Sequence, residues 1–228
     1  MQRKWENLPD FMRCDEVRPY WEILNHKHGQ LMLKRVFDMI VALVLLIILA
    51  IPMFIIAVMI KTEDLGPVFY RQKRVTRYGK HFCIHKFRTM VVNADKIGTA
   101  VSIDEDPRIT KVGRRLRKLR LDELPQVLDV LKGNMSFVGT RPEVIKYVEW
   151  YKPEWNATLL LPAGITSEAS IRYRDEDKLL KASDDVDKTY VESVLPAKMI
   201  WNLESVRQFG FRREIMTMFR TVFVVIGK

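Results

Sequence analysis

The chain has 228 residues, 48% of them hydrophobic, which suffices for one domain with a real core, or one domain with an attachment. Thirty-eight Lys and Arg against 28 Asp and Glu give a formal net charge of +10, so the partner is expected to be anionic: nucleic acid, an anionic membrane surface or a phosphorylated substrate. Two cysteines, Cys14 and Cys83, exclude a disulfide framework and fit a reducing compartment.

Residues 1–30 form a polar piece carrying Trp5, Tyr20 and Trp21. Such aromatics suit a membrane interface, and equally a surface helix packed on a domain. Next comes MIVALVLLIILAIPMFIIAVMI, Met39 to Ile60, without a charge and long enough as a helix to cross a bilayer core of roughly 30 Å. It is too long and too far from the N-terminus for a cleavable signal peptide, and no small-residue cleavage site follows. A single span is the default, and two features oppose it. Pro52 lacks an N–H and clashes with the preceding turn, so a helix bends or breaks there. Both flanks are basic, with Lys34 and Arg35 before and Lys61, Arg71, Lys73 and Arg74 after, which removes the charge asymmetry that orients a span. The expectation is a helix–break–helix that dips into the membrane and returns to its side of origin. A buried core helix of a soluble protein fits less well, because the segment is apolar all round.

Asp64-Leu65-Gly66-Pro67 reads as a turn, Val68-Phe69-Tyr70 as the start of a strand, Arg77–Lys80 as a second turn and His81–Met90 as the partner strand of a hairpin. On that strand Phe82, Ile84, Lys86 and Arg88 share a face. A cation ending an apolar face either aims at a pocket or snorkels to solvent. His81, Cys83 and His85 share the other face and could hold a metal, but no second His and Cys cluster completes the set, so an ordinary strand is preferred. Asp104-Glu105-Asp106 and Asp175-Glu176-Asp177 are Asp-x-Asp triplets of the kind a metal-dependent glycosyltransferase uses, and triplets of this kind are frequent by chance.

The stretch KVGRRLRKLRLDELPQVLDVLKGNMSFVGTR, residues 111–141, sets a dense cationic run against the adjacent acids Asp122 and Glu123. Val112, Leu116 and Leu119 recur at helical spacing, as do Leu124, Val127, Leu128 and Leu131. Pro125 is tolerated only in a first turn, so a helix is predicted to start close to Asp122 and to end at Lys132-Gly133-Asn134. At the positive end of that helix and beside cations, Asp122 should stay ionised. Such a carboxylate can be a metal ligand, a general base, a nucleophile or a plain N-cap. The basic run alone is also what a membrane-surface scaffold or a nucleic-acid binder would show, although a charge run is usually a solvated face and neither explains the Asp-Glu pair. The C-terminal FRREIMTMFRTVFVVIGK reads as an interfacial amphipathic helix or as a helix packed on the core.

Several short stretches, in order, resemble one family. LKRVFD leads into the apolar segment, followed by GPVFYRQKR, KFRTM, RLDELPQ, DVLKGNMSFVG, TRPE and PAGIT. Together they span roughly residues 31 to 226 and are similar to the bacterial sugar transferases, the small monotopic phosphoglycosyl transferases. The resemblance implies an enzyme that moves sugar-1-phosphate from a UDP-sugar onto polyprenyl (undecaprenyl) phosphate, releases UMP and starts a surface glycan. It further implies Mg²⁺, a covalent phosphosugar on the aspartate of the Asp-Glu pair, and residence on the cytoplasmic face of a bacterial inner membrane among membrane lipid, without nucleic acid; a homodimer is compatible with it. By matched position Asp122 is the expected nucleophile, Glu123 its acidic partner, both at the metal, and Lys86 the active-site lysine. Arg117 and Arg141 match phosphate- or nucleotide-binding arginines, and Arg88 in KFRTM joins them as a substrate-binding candidate.

The expected fold is α+β and helix-rich: a polar extension over 1–33, a proline-broken re-entrant membrane helix over 34–61 and a compact cytoplasmic catalytic domain over 62–228 with amphipathic interfacial helices. Three departures from the family pattern are visible. Ile51 stands where the family often has Ser before the proline, Thr140 replaces a common proline and loosens the expected backbone before Arg141, and this chain has PAGITSEASIRYRDED where many members follow PGIT with Gly and a glutamine-containing strand. A conventional glycosyltransferase releasing UDP, or a non-catalytic basic membrane-surface protein, remains the alternative.

Overall fold

The computed structural model describes residues 2–94, 106–173 and 185–226. Asp104, Glu105 and the triplet Asp175-Glu176-Asp177 lie outside the described residues. Asp106 is inside, and its carboxylate is taken up by the backbone N–H and guanidinium of Arg108.

The N-terminal piece folds as two short 3₁₀ turns, Trp5–Asn7 and Asp10–Met12, followed by helix α1, Arg18–Asn25. Its apolar residues Leu8, Met12, Val17 and Leu24 are buried in one core with Leu160, Leu195, Met199 and Phe209. Tyr20 is buried and donates to Glu154 at 2.6 Å, and Trp21 donates from Nε1 to the Arg3 carbonyl at 2.9 Å. Of the two sequence readings of these aromatics, the packed surface helix is the one observed.

Helix α2 runs from His28 to Asp64 and is continuous through Pro52. The expected interruption is therefore absent from the hydrogen-bonded helix. Proline deletes one donor and strains one carbonyl, and a long apolar helix tolerates that with its remaining ladder intact. One stripe of α2, through Asp38, Ala42, Ile56 and Ile60, is buried against the domain. The other faces expose large apolar side chains, with Ile47, Ile51 and Phe54 each at least 70% exposed.

The hairpin follows as predicted. Strand β1, Phe69–Val75, pairs antiparallel with β2, His81–Phe87, in the register Tyr70 opposite Lys86, Gln72 opposite Ile84 and Arg74 opposite Phe82. Tyr78 and Gly79 take left-handed φ values of 60° and 73° to turn the chain between them. Helix α3, Lys111–Lys118, leads through Arg120 at φ 56° into a 3₁₀ segment, Leu121–Gln126, that continues as α4, Val127–Leu131. Gly133, at φ 77°, stops α4 where the sequence placed its end. Strand β3, Met135–Val138, then pairs in parallel with β4, Ala163–Thr166, across the short helix α5, Ile145–Val148, and a 3₁₀ stretch, Pro153–Leu160. Helix α6, Glu168–Arg172, precedes α7, Val186–Thr189, a π-helical stretch Tyr190–Val194, α8, Leu195–Arg207, and α9, Phe211–Ile226. Helices thus surround two small two-stranded sheets, the helix-rich α+β class that was expected.

Two further cores explain how the parts are joined. Ala42 of α2 packs with Phe82, Ile84, Val130, Met135 and Phe137, and Ile56 and Ile60 pack with Phe87 and Leu116. The two ends of α2 are also bonded to this body. Lys34 donates to the Val138 carbonyl at 2.9 Å and pairs with Glu214; Arg35 caps α4 through the carbonyls of Val130 and Leu131 at 2.7 and 3.0 Å. At the far end Glu63 accepts from the first N–H groups of α3, Lys111 at 2.8 Å and Val112 at 3.2 Å. The backbone at Thr140 is not loose: its carbonyl accepts from Gly164 at 2.8 Å, and Gly139 donates to Thr166 at 3.0 Å.

That close pairing demands glycine in PAGIT. A Cβ at Gly164 would lie 2.2 Å from both the N and the O of Gly139. Gly164→Ala should therefore destabilise the protein by about 3 kcal/mol or more, the upper range for overpacking, read as a lowered thermal midpoint of the detergent-solubilised chain.

Candidate active site

Alternation along β2 sends Phe82 and Ile84 into the core and carries Lys86 inward with them. Lys86 meets Glu123, Nζ to Oε1, at 2.9 Å. Glu123 sits in the first turn of the 3₁₀ segment, where Pro125 is tolerated because the N–H groups there lack helical partners. Arg141, three residues past the end of β3, brings its guanidinium to the same carboxylate, Nη1 to Oε2 at 3.3 Å and Nη2 to Oε1. Three segments distant in sequence thus converge on one acid.

The electrostatics follow from burial. Burial alone would raise the Glu123 carboxyl, but Arg141 and Lys86 outweigh it and hold the group well below the usual glutamate range. Burial lowers the Lys86 ammonium, with Arg141 adding to the effect and Glu123 and Asp122 opposing it. Asp122 is 8% exposed, and among the described residues its Oδ1 has no hydrogen-bond partner. Burial raises the Asp122 carboxyl, and the charge of Glu123 adds to that, against the pull of Lys86, Arg117 and Arg120. The helix-terminus argument favoured the charged form, and desolvation reverses the sign.

Of the six candidates from the sequence, Lys86, Asp122, Glu123 and Arg141 come together, and the charge of Arg117 on α3 acts on Asp122. Arg88 goes elsewhere. The strand ends at Phe87, the alternation ends with it, and the Arg88 guanidinium is buried against Asp64 at the end of α2, with Nε donating to the Pro67 carbonyl at 2.6 Å. Its position is that of a clamp on the long helix.

The structure adds residues that the sequence reading did not single out. Register places Tyr70, Gln72 and Arg74 on the face of the hairpin that carries Lys86. Arg74 is half-buried, desolvation lowers its guanidinium, and it donates from Nη1 to the Pro142 carbonyl at 3.1 Å, directly after Arg141. Asp129 of α4, fully buried, receives both the backbone N–H of His85 at 2.9 Å and its ring Nδ1 at 2.7 Å, which ties β2 to α4 one residue before Lys86. The alternation in GPVFYRQKR was visible in the sequence; its register against KFRTM was not. On the opposite face His81 and Cys83 are exposed, and His85 is engaged by Asp129.

Among the described residues no three His, Cys, Asp or Glu side chains gather as a ready metal cage. Mg²⁺ does not require one, since it is commonly held by one or two carboxylates together with substrate phosphates and water. The unpartnered Oδ1 of Asp122 fits that donor set. Glu123 would join it only by giving up Lys86 or Arg141.

The profile of the bacterial sugar transferases matches residues 29–228. The chain belongs to the bacterial sugar transferase family. Residues 1–28, with α1, lie outside the matched part. A putative undecaprenyl-phosphate N-acetylgalactosaminyl 1-phosphate transferase of Bacillus subtilis (strain 168) is 41% identical over 150 residues, 65% of this chain and 82% of that protein. The UDP-N-acetylgalactosamine-undecaprenyl-phosphate N-acetylgalactosaminephosphotransferase of Aeromonas hydrophila is 42% identical over 122 residues, 54% of this chain. The UDP-glucose:undecaprenyl-phosphate glucose-1-phosphate transferase of Escherichia coli (strain K12) is 35% identical over 197 residues, 84% of this chain. The matched part spans 29% of the Aeromonas transferase and 40% of the Escherichia one.

In this member of the family the Glu123 cluster should be measurable as stability. A carboxyl depressed in the folded state contributes fully above the ordinary glutamate range, and that contribution is lost as pH falls through the folded-state value. Glu123→Gln leaves Lys86 and Arg141 without their shared anion and should cost about 3 kcal/mol at neutral pH, the low end for a broken buried pair because Arg141 reaches solvent. Denaturant midpoints of wild type and variant should converge toward low pH.

Proposed function

We propose that this chain transfers sugar-1-phosphate from a UDP-sugar to a polyprenyl phosphate at a membrane surface, through a phosphosugar held covalently on Asp122. The observation that carries the reading is the buried Asp122 oxygen without a partner beside a carboxylate already neutralised by Lys86 and Arg141. A structural carboxylate would be satisfied; one kept for a substrate phosphorus need not be.

Asp122 attacks the sugar-bearing phosphorus of the donor diphosphate. A carboxylate O–P bond forms as the bond to the bridging oxygen breaks, and UMP leaves with that electron pair. An oxygen of polyprenyl phosphate then attacks the same phosphorus, and the carboxylate is released unchanged. Splitting the transfer lets one pocket serve a soluble donor first and a lipid acceptor second. Arg141 and Arg117 supply positive charge where the diphosphate must lie, Arg141 with a planar fork suited to phosphate, and Lys86 holds Glu123 so that its charge does not repel the incoming anion. Mg²⁺, held by Asp122 and the donor phosphates, would neutralise phosphate charge and stabilise the departing UMP.

The membrane reading rests on α2 and α9. If straight, a helix of 37 residues would be about 55 Å long, well beyond a bilayer core of roughly 30 Å. Its two ends are bonded to the same folded body, which supports both lying on one side of the membrane; a bend at Pro52, where one hydrogen bond is missing, would let the continuous helix dip into one leaflet and return. Helix α9 exposes Met216, Phe219, Val222 and Phe223, as a helix lying in the interface does. We place the domain on the cytoplasmic side of the inner membrane, as a monotopic protein.

The purified chain with Mg²⁺, polyprenyl phosphate and a panel of UDP-sugars should release UMP; UDP as the product would favour the Asp-x-Asp alternative. Asp122→Asn should lower turnover at least about a thousandfold. Attack needs the carboxylate, so kcat/KM should fall as pH drops through the raised Asp122 value, with its acid limb above the ordinary aspartate value of about 3.9. Normal turnover by the Asn variant would remove the nucleophile. Topology has its own measurement, because Cys14 and the exposed Cys83 flank α2. A membrane-impermeant thiol reagent should label both from the cytoplasmic side alone, whereas a single span would put them on opposite sides.

A further inference from the structure

Away from the Asp122 cluster, a cleft opens between α6, α8 and α9, and no residue of that cluster lines it. It has two adjoining compartments, of which the inner one, at Asn202, is the narrower. The inner one ends on Gly139, Thr140 and Asn202; the outer one is walled by Arg172, Trp201, Met216 and Arg220. Glu168, Ser205, Arg213 and Thr217 line both, so Arg213 stands at the junction.

Two features give the cleft a chemistry. The first is charge. Glu204 and Glu214 also line it, but Glu204 is paired with Arg207 and Glu214 with Lys34; Arg172 and Arg220 pair with Glu168, and Arg213 adds a third arginine whose charge acts on Glu214. Glu168 is itself fastened by Arg220 at 2.7 Å and by Thr217 at 3.1 Å, while Arg172 stacks 3.7 Å over the ring of Trp201. With the Glu204–Arg207 and Glu214–Lys34 pairs counted as neutral, two positive charges remain in excess among the described residues. The second is an orphaned acceptor: Asn202 is 4% exposed, and its Oδ1 has no partner among the described residues. A buried amide oxygen in that state calls for a hydroxyl or N–H from a ligand.

We propose that this cleft binds the headgroup of an acidic glycerophospholipid, its phosphodiester at Arg213 with Arg172 and Arg220, and its headgroup hydroxyl at Asn202. The source is the bilayer because Met216, in the outer wall, shares its helix face with exposed Phe219 and Phe223, so the mouth opens where acyl chains would lie. The proposal rests on the membrane reading of α9 given above. A headgroup held there would fix the rotation and depth of α9 in the leaflet.

The test uses the full chain in non-ionic detergent, titrated with phosphatidylglycerol, phosphatidylmethanol (equal charge, no headgroup hydroxyl) or phosphatidylcholine, with bound lipid read by native mass spectrometry. Wild type should retain phosphatidylglycerol above the other two. Arg213→Gln should weaken that adduct about fivefold, the effect of one arginine at a lipid surface, while Arg212→Gln, an exposed neighbour outside the cleft, should leave it unchanged. Asn202→Leu should reduce phosphatidylglycerol to the level of phosphatidylmethanol, and thermal midpoints will show that both variants fold. Equal loss in the two arginine variants, no preference over phosphatidylcholine, or displacement by undecaprenyl phosphate would each overturn the site, the last by assigning it to the acceptor. Sedimentation with the membrane fraction is read separately. A chain that stays with the membrane yet shows no headgroup preference overturns this site alone; one that leaves the membrane overturns the membrane reading as well.

Discussion

The Glu123 side chain is only 11% exposed between Lys86 and Arg141, and the rest of the site is arranged around the need to keep it so. A lone carboxylate at that depth would cost several kcal/mol in lost hydration, so it persists only where opposite charge and hydrogen bonds surround it. The two cations come from the hairpin and from the segment after β3, so both must dock on the turn between α3 and α4. Asp122 is the residue immediately before it in the chain. Once Glu123 is held, Asp122 is fixed beside a neutralised acid with one oxygen unclaimed, and that is the feature a phosphorus electrophile can use.

The long apolar helix serves the same arrangement mechanically. The motif LKRVFD is polar because its side chains reach backbone: Lys34 a carbonyl at the end of β3, Arg35 the last carbonyls of α4, and Asp38 the Phe137 N–H at 3.4 Å. At the other end, Glu63 caps α3 and Asp64 receives Arg88. β2, α3, the 3₁₀–α4 unit and β3, which leads to Arg141, are thereby each bonded to, or packed on, one helix. A helix that enters lipid can then present the site to a lipid-borne acceptor without a separate hinge, which links the packing to the reaction proposed.

Arg88 shows how a local rule fails. Alternation is a property of the strand and ends with it, so a residue one step past Phe87 cannot be assigned a face from periodicity. The continuity of α2 through Pro52 is a related case, because proline removes one hydrogen bond and neighbouring turns decide whether that suffices to break a helix. Tyr70, Gln72 and Arg74 stayed hidden for the opposite reason: their alternation was readable, but only cross-strand register says which cation they stand beside.

What the sequence determined by itself is whatever depends on neighbours along the chain: the uncharged apolar run, the hairpin with its turn, the helix that starts near Asp122 because Pro125 allows nothing else, and its end at Gly133. The ordered motifs carried the family as well, since they are a pattern of identities rather than of contacts. Tertiary structure alone decided which charges neutralise which. Lys86, Glu123 and Arg141 lie far apart in the chain, and the sign of the shift at Asp122 turns on how deeply it is buried. Desolvation and Coulomb attraction act through space, so no spacing along the chain encodes their balance.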